Sequence, residues 1–324
     1  MTLATAMQPM RRREALGVLG AGLLLAPASL RAESFAGRYR LKPEPFGDGL
    51  WFVRGADQAI AFANGGAIAN CAVLDTSAGP VLFDCGPSLA YGQALRQLAR
   101  RLCGRDPALV LISHLHPDHA LGAAAFAPGT VAALPGTAAE IERDGPGMTD
   151  AMFRILADWM RGTQLVVPGR KLAPGPLTIG NRTLRLLALS GHSGADLALF
   201  DERSGALITG DLVFHNRAPA TPHANLAKWR AALDQLEALP HRVLLPGHGP
   251  VDADRAAIAQ TRSWLTWLEA ALARAAASGL DMVEAGELAI PAEFAQLAAA
   301  RYELQRSVSH FYPDIEAATL PRVN

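Results

Sequence analysis

An α/β fold is what this sequence predicts, on two observations. Short apolar runs of strand length alternate with longer runs whose apolar residues recur every three or four positions. Residues with metal-binding chemistry also stand, again and again, just past the end of a strand-like run, and open α/β sheets gather their chemistry at strand ends. Half of the 324 residues are apolar, enough to bury a core in one large domain or two smaller ones. Thirty Lys and Arg balance thirty Asp and Glu, so the formal net charge is zero and no basic excess exists to hold a phosphate backbone. Nucleic acid is therefore not expected as a partner.

Residues 1–32 read as an export signal rather than as fold. Arg11, Arg12 and Arg13 precede a mildly apolar run over 15–26, and small residues at 26–28 and 30–32 offer cleavage sites, so a mature chain would begin near Ser29 or Glu33. The run is too short to anchor in a bilayer, and no stable membrane span is expected after processing. Arg12-Arg13 resembles the pair of a bacterial twin-arginine signal, with Ala15 where Phe is usual. An ordinary Sec signal shares the charged start and apolar middle; either route implies a periplasmic protein. Three cysteines are too few for a disulfide framework. Cys71 and Cys85 flank a predicted hairpin, where an oxidising compartment permits a bridge and buried free thiols are the commoner outcome.

Residues 33–324 carry the fold. Strands are predicted over 50–53, 70–74 and 81–84, separated by turn residues. Gly86-Pro87-Ser88 then opens a helix that places Tyr91, Leu95, Leu98 and Leu102 on one face. The run over 109–112 is apolar throughout, as in a strand covered on both sides. It leads into His114-Leu115-His116-Pro117-Asp118-His119, the most informative stretch of the chain. Pro117 suits the first turn of a helix, so Asp118 and His119 should project from a helix start. Residues 137–170 read as a helical insertion of two helices broken at Gly145-Pro146-Gly147. The second carries Met148, Met152, Phe153, Ile155, Trp159 and Met160, either as core or as an apolar lid over the metal loop. Strands over 183–189 and 206–209 end at Ser190-Gly191-His192 and at Gly210-Asp211, with another over 197–200 between them. A helix with Leu226, Trp229, Leu233 and Leu236 on one face precedes a buried strand over 242–245 that ends at Pro246-Gly247-His248. Residues 254–324 form a C-terminal helical extension, begun by a helix with Ile258, Leu265, Leu268 and Leu272 on one face.

Seven candidate metal ligands stand out: His114, His116, Asp118, His119, His192, Asp211 and His248. Four protein ligands close a structural zinc site, so seven suggest two ions. Their order, His-x-His-x-Asp-His followed by a later His, Asp and His, resembles the metallo-β-lactamase superfamily. The resemblance implies a four-layer αββα sandwich with the site at one edge. It also implies a first Zn²⁺ on His114, His116 and His192, a second on Asp118, His119 and His248, and Asp211 bridging them, with Fe or Mn able to use the same ligands. The implied activity is hydrolysis of an ester, thioester, lactone or amide bond in a small-molecule substrate, with Asp118 and Asp211 as catalytic carboxylates. The segments Asp158-Trp159-Met160, 210–215 and 309–313 are similar to those of SoxH-like zinc metallohydrolases, which implies a periplasmic quinoprotein dehydrogenase as partner. Two other readings stay open: an iron-dependent persulfide dioxygenase, and a non-catalytic accessory protein of such a dehydrogenase. His215, His223, His241 and His310 are expected as core or surface histidines rather than on metal, although His215 and His223 flank the loop after Asp211 and could meet substrate.

Overall fold

A computed structural model describes residues 37–319; the export signal expected over 1–32, with Arg12-Arg13, lies outside the described residues. Two sheets lie face to face, with helices on their outer sides. The first sheet has seven strands in chain order: β1 (Pro43–Gly47), β2 (Leu50–Val53), β3 (Cys71–Leu74), β4 (Val81–Phe83), β5 (Leu109–Ile112), β6 (Val131–Ala133) and β7 (Arg170–Lys171). The second holds β8 (Gly175–Ile179), β9 (Arg182–Leu189), β10 (Asp196–Asp201), β11 (Ala206–Ile208) and β12 (Val243–Leu245). The helices are α1 (Leu89–Cys103), α2 (Pro117–Ala120), α3 (Pro135–Leu156), α4 (Leu226–Glu237), α5 (Ala257–Ala277), α6 (Met282–Gly286), α7 (Ala292–Ala295) and α8 (Ala300–Thr319).

Pairing is antiparallel from β1 to β4 and from β8 to β11. It becomes parallel where a helix crosses over, with α1 between β4 and β5 and α4 between β11 and β12. In β5 the alternation of side chains splits an unbroken apolar run. Leu109 and Leu111 enter the layer between the sheets, where they join Leu184, Leu186, Leu197, Leu199 and Ile208. Val110 and Ile112 point the other way and pack with Leu95 and Leu98 of α1. The outer face of the second sheet presents Phe200, Leu207 and Leu244 to Trp229 and Leu233 of α4 and Trp264 of α5. The result is the four-layer αββα sandwich.

Helix boundaries follow local chemistry. The Ser88 hydroxyl accepts the Tyr91 N–H at 3.3 Å and caps α1, which ends at Gly104 in a left-handed conformation (φ 73°). The break expected at Gly145-Pro146-Gly147 does not occur, and α3 runs through it as one helix of 22 residues. Pro146 lies on the solvent side and Glu142, whose carbonyl loses its partner there, is exposed, so water can take the place of the missing N–H. Gly145 is kept small by a neighbour, since a Cβ there would lie 2.8 Å from Leu165 Cδ1.

The predicted hairpin of β3 and β4 pairs Ala72 with Phe83, and Cys71 and Cys85 are both buried and free. The Cys85 thiol reaches the His119 carbonyl at 3.2 Å, so it braces the metal loop from below. The C-terminal helices build a smaller core of their own, in which Leu268 and Leu272 of α5 meet Leu304, Val308 and Tyr312 of α8. Among the described residues no helix is long and apolar enough to cross a membrane.

Candidate metal centre

Four strands from two sheets deliver the seven candidate ligands to one rim. His114 and His116 leave the end of β5, and His116 occupies the N-cap of α2 with Pro117 following, which turns Asp118 and His119 inward. His192 lies in the turn between β9 and β10, Asp211 in a 3-10 turn after β11, and His248 just beyond β12. All seven side chains are buried.

They fall into two groups: His114, His116, His192 and Asp211, and then Asp118, His119 and His248, with the ligand atoms of each group within 4.8 Å of one another. His116 Nδ1 lies 2.9 Å from His114 Nε2 and 2.8 Å from His192 Nε2. Asp118 Oδ2 lies 3.6 Å from His119 Nε2 and 3.5 Å from His248 Nε2. Asp211 stands between the groups. Its Oδ1 is 3.1 Å from His119 Nε2, while its Oδ2 is 3.2 Å from His248 Nε2, 3.3 Å from His192 Nε2 and 3.8 Å from His114 Nε2. His119 Nε2 and Asp211 Oδ1 are buried and, although 3.1 Å apart, are not aligned for a hydrogen bond with each other or with another group among the described residues. Polar atoms left so in an interior are costly, and cations between them would supply the partner. The residues present fit a dinuclear metal site.

Electrostatics agree with ligand duty at three of the imidazoles, whereas His119 holds a proton that a metal ion would have to displace. Burial holds His114 and His116 well below the ordinary imidazole value and His192 down to about 3, so all three are neutral, the form that binds a metal. Burial also pulls His119 down, but Asp211, Asp118 and Asp84 outweigh it and hold that imidazole well above its ordinary value. For Asp211 burial acts upward, and His248, His119 and His192 together overcome it and keep the carboxylate ionised.

A second ring of residues aims the first. Asp84 follows β4 in a left-handed backbone conformation (φ 63°). Its Oδ1 accepts the Ser113 N–H at 2.7 Å, and its Oδ2 takes the Ser113 hydroxyl at 2.8 Å and pairs with His119 Nδ1 at 2.7 Å. His119 must therefore present Nε2 to the site. Asp196 accepts the backbone N–H of His192 at 3.1 Å and the Ser193 hydroxyl at 2.6 Å; burial raises its carboxyl to about 7 against those hydrogen bonds. Asn70 donates to the carbonyls of Pro246 and Gly249, both at 2.9 Å, while His248 Nδ1 meets the Ile68 carbonyl at 2.8 Å. Gly247 cannot carry a side chain, because a Cβ would lie 2.0 Å from Asp211 Oδ1. None of Asp84, Asn70 and Asp196 was singled out from the sequence. Asp84 alone gave a signal, as the last residue of the strand predicted over 81–84.

A cavity of about 240 Å³ opens onto these groups. His116, Asp118, Asp211 and His248 contribute to its lining, as do Met148, Met152 and Ile155 of α3 and Tyr302 and Arg306 of α8. The Met and aromatic stripe thus divides. Trp159 turns away from the cavity, packs on Tyr39 with ring centroids 4.6 Å apart, and donates to the Phe62 carbonyl at 2.9 Å. Of the two histidines that flank the loop after Asp211, His223 lines the cavity and sets its Nδ1 2.9 Å from His116 Nε2. His215 instead bonds to the Pro250 carbonyl at 3.1 Å.

A model of the metallo-β-lactamase superfamily matches residues 64–248, more than half of the chain and all seven residues of the two groups. The chain belongs to the metallo-β-lactamase superfamily. It is similar to the acyl-coenzyme A thioesterase MBLAC2 of Homo sapiens, 27% identical over 225 residues that cover 61% of this chain and 72% of that protein. The protein of the same name from Bos taurus gives the same figures. Among solved metallo-β-lactamases, one from Pontibacter korlensis matches with a TM-score of 0.57 at 20% identity, over 70% of this chain and 99% of the other, which speaks for the fold. The superfamily match ends at His248, so α5 to α8 lie beyond it.

Proposed function

We propose that this protein is an exported, periplasmic dizinc hydrolase of acyl thioesters and related esters, serving a quinoprotein system. The observation that carries the hydrolase reading is Asp211, whose carboxylate lies within 3.1 to 3.8 Å of imidazoles from both groups and is the natural bridge between two ions. Thioesters are the first choice of substrate because the similar human protein is named as an acyl-coenzyme A thioesterase. The address and the quinoprotein link rest on the signal-like residues 1–32 and on the motif resemblance at 158–160, 210–215 and 309–313.

When bound, two divalent ions would supply a water acidic enough to ionise near neutral pH and would polarise the acyl carbonyl. His114, His116 and His192 would hold the first, Asp118, His119 and His248 the second, and Asp211 would serve both. Asp118 lines the cavity and is placed to accept a hydrogen bond from a water there. Met148, Met152 and Ile155 offer an apolar wall to an acyl chain and exclude bulk water from the reacting bond.

Metal analysis of protein purified without added metal, followed by a screen of thioester, lactone, β-lactam and phosphodiester probes, tests the reading. Two zinc ions per chain and chelator-sensitive thioester cleavage are expected. Stoichiometric iron with oxygen uptake would overturn it in favour of an oxygenase.

A further inference from the structure

Helix α8 brings a charged group to the cavity that the metal centre also lines. Arg306 donates from Nη1 to Glu303 Oε2 at 3.1 Å and lies 5.5 Å from the centroid of the Tyr302 ring. Glu303 is fully buried, and its other oxygen accepts Arg217 Nη2 at 3.2 Å. One carboxylate is thus shared by two guanidinium groups, and the trio carries one positive charge in excess. The two arginines are not equivalent. Arg217 is 2% exposed at its side chain, whereas Arg306 is 38% exposed and has no other hydrogen bond or ion pair among the described residues.

The arrangement reads as a bracket. Arg217 fixes Glu303, Glu303 holds one edge of Arg306, and the rest of that guanidinium remains available in a cavity whose α3 wall is apolar. Such a site favours an anion, since a planar guanidinium held at one edge still offers paired N–H donors at low entropic cost.

We propose that Arg306 anchors an anionic group of the substrate, carboxylate or phosphate, so that the cavity selects acyl compounds with a negatively charged end over neutral ones. This deepens the hydrolase reading and rests on it. Arg306 lies on α8, outside the residues that match the superfamily.

Three thioesters of equal length provide the test: one ending in a carboxylate, one in a phosphate, and one in the methyl ester of the first. The metal-loaded wild type should favour at least one anionic probe over the neutral one by about tenfold or more in kcat/KM, the scale of one charge-assisted hydrogen bond. Arg306→Gln should abolish that ratio and Arg306→Lys should keep part of it. Which anionic probe leads tells carboxylate from phosphate. A ratio unchanged in Arg306→Gln overturns the proposal, and because it is a ratio, a general loss of folded enzyme does not enter it. Should the metal-loaded protein cleave none of the probes, the hydrolase reading fails. The anchor is then read by calorimetry with the same probes, where a preference for the anionic ones that Arg306→Gln removes supports it and equal affinities overturn it.

Discussion

His116 and His223 face each other through ring nitrogens 2.9 Å apart, although 107 positions separate them in the chain. His116 turns Nδ1 toward His114 and His192, so a metal there leaves the hydrogen on Nε2, which then donates to His223 Nδ1. Replacing His223 by Ala should weaken binding of the first ion by about 10- to 100-fold, the usual effect of losing such a partner. Gln, which keeps an acceptor, should restore part of it. Competition with a chromophoric chelator measures both, and an unchanged affinity in the Ala variant would show the contact to be incidental.

Gly247→Ala places a methyl group where Asp211 Oδ1 now stands. The carboxylate and the backbone of Gly210-Asp211, which the Cβ would approach to 2.7 and 2.8 Å, must shift, and the expected result is less than two bound ions and loss of hydrolysis, with circular dichroism still showing a folded sandwich. Full metal content in this variant would contradict a bridging Asp211.

The two halves of the stripe on and after α3 should respond differently. Ile155 lines the cavity and is 46% exposed, so Ile155→Ala should raise KM for long acyl chains and leave the melting temperature nearly unchanged. Trp159 packs on Tyr39 instead, and Trp159→Ala should cost about 1–3 kcal/mol of stability with KM unaffected. Kinetics and thermal unfolding on both variants decide whether the division holds.

Tyr39 donates to the Gly65 carbonyl at 2.6 Å, and burial, opposed by a hydrogen bond to Ser88, raises its phenol to about 12. The neutral form is favoured in the folded chain and ionises at lower pH once unfolded. Stability is therefore full below pH 10 and falls as pH rises from there toward 12. Denaturant unfolding across that window should show a decline that Tyr39→Phe reduces.

Changing Arg12 and Arg13 together to Lys separates the proposed export routes. The twin-arginine receptor reads the pair itself, whereas Sec reads positive charge, so precursor should accumulate in the cytoplasm. Normal processing would assign the protein to Sec.

The clustering of the seven candidate ligands was legible because metal binding uses few residue types, and here each follows a strand or opens a helix. The central strands were legible for a similar reason: β5 is buried on both faces, which leaves an unbroken apolar run. β7 gave no such sign, being two exposed residues, Arg170 and Lys171, at the far edge of its sheet. Pro146 misled because a proline is read as a helix breaker, and only the exposed position of its turn makes it tolerable. Asn70 and the Arg217–Glu303 pair were beyond reach for a different reason. Their partners lie 176 and 86 positions away, and nothing local distinguishes them from ordinary polar residues.

His114 and His116 come from the seven-stranded sheet, whereas His192 and Asp211 come from the five-stranded one; the second group is likewise split between Asp118 and His119 on one side and His248 on the other. Each ion would therefore rivet the sheets together across their seam. Such a rivet has no affinity for sheets that have come apart, so metal adds to the folding equilibrium by mass action. The long stretches of chain it closes make the constraint on the unfolded polymer larger still. The cohesion of this sandwich then draws on the free metal in the compartment where it folds as well as on the apolar layer between the sheets.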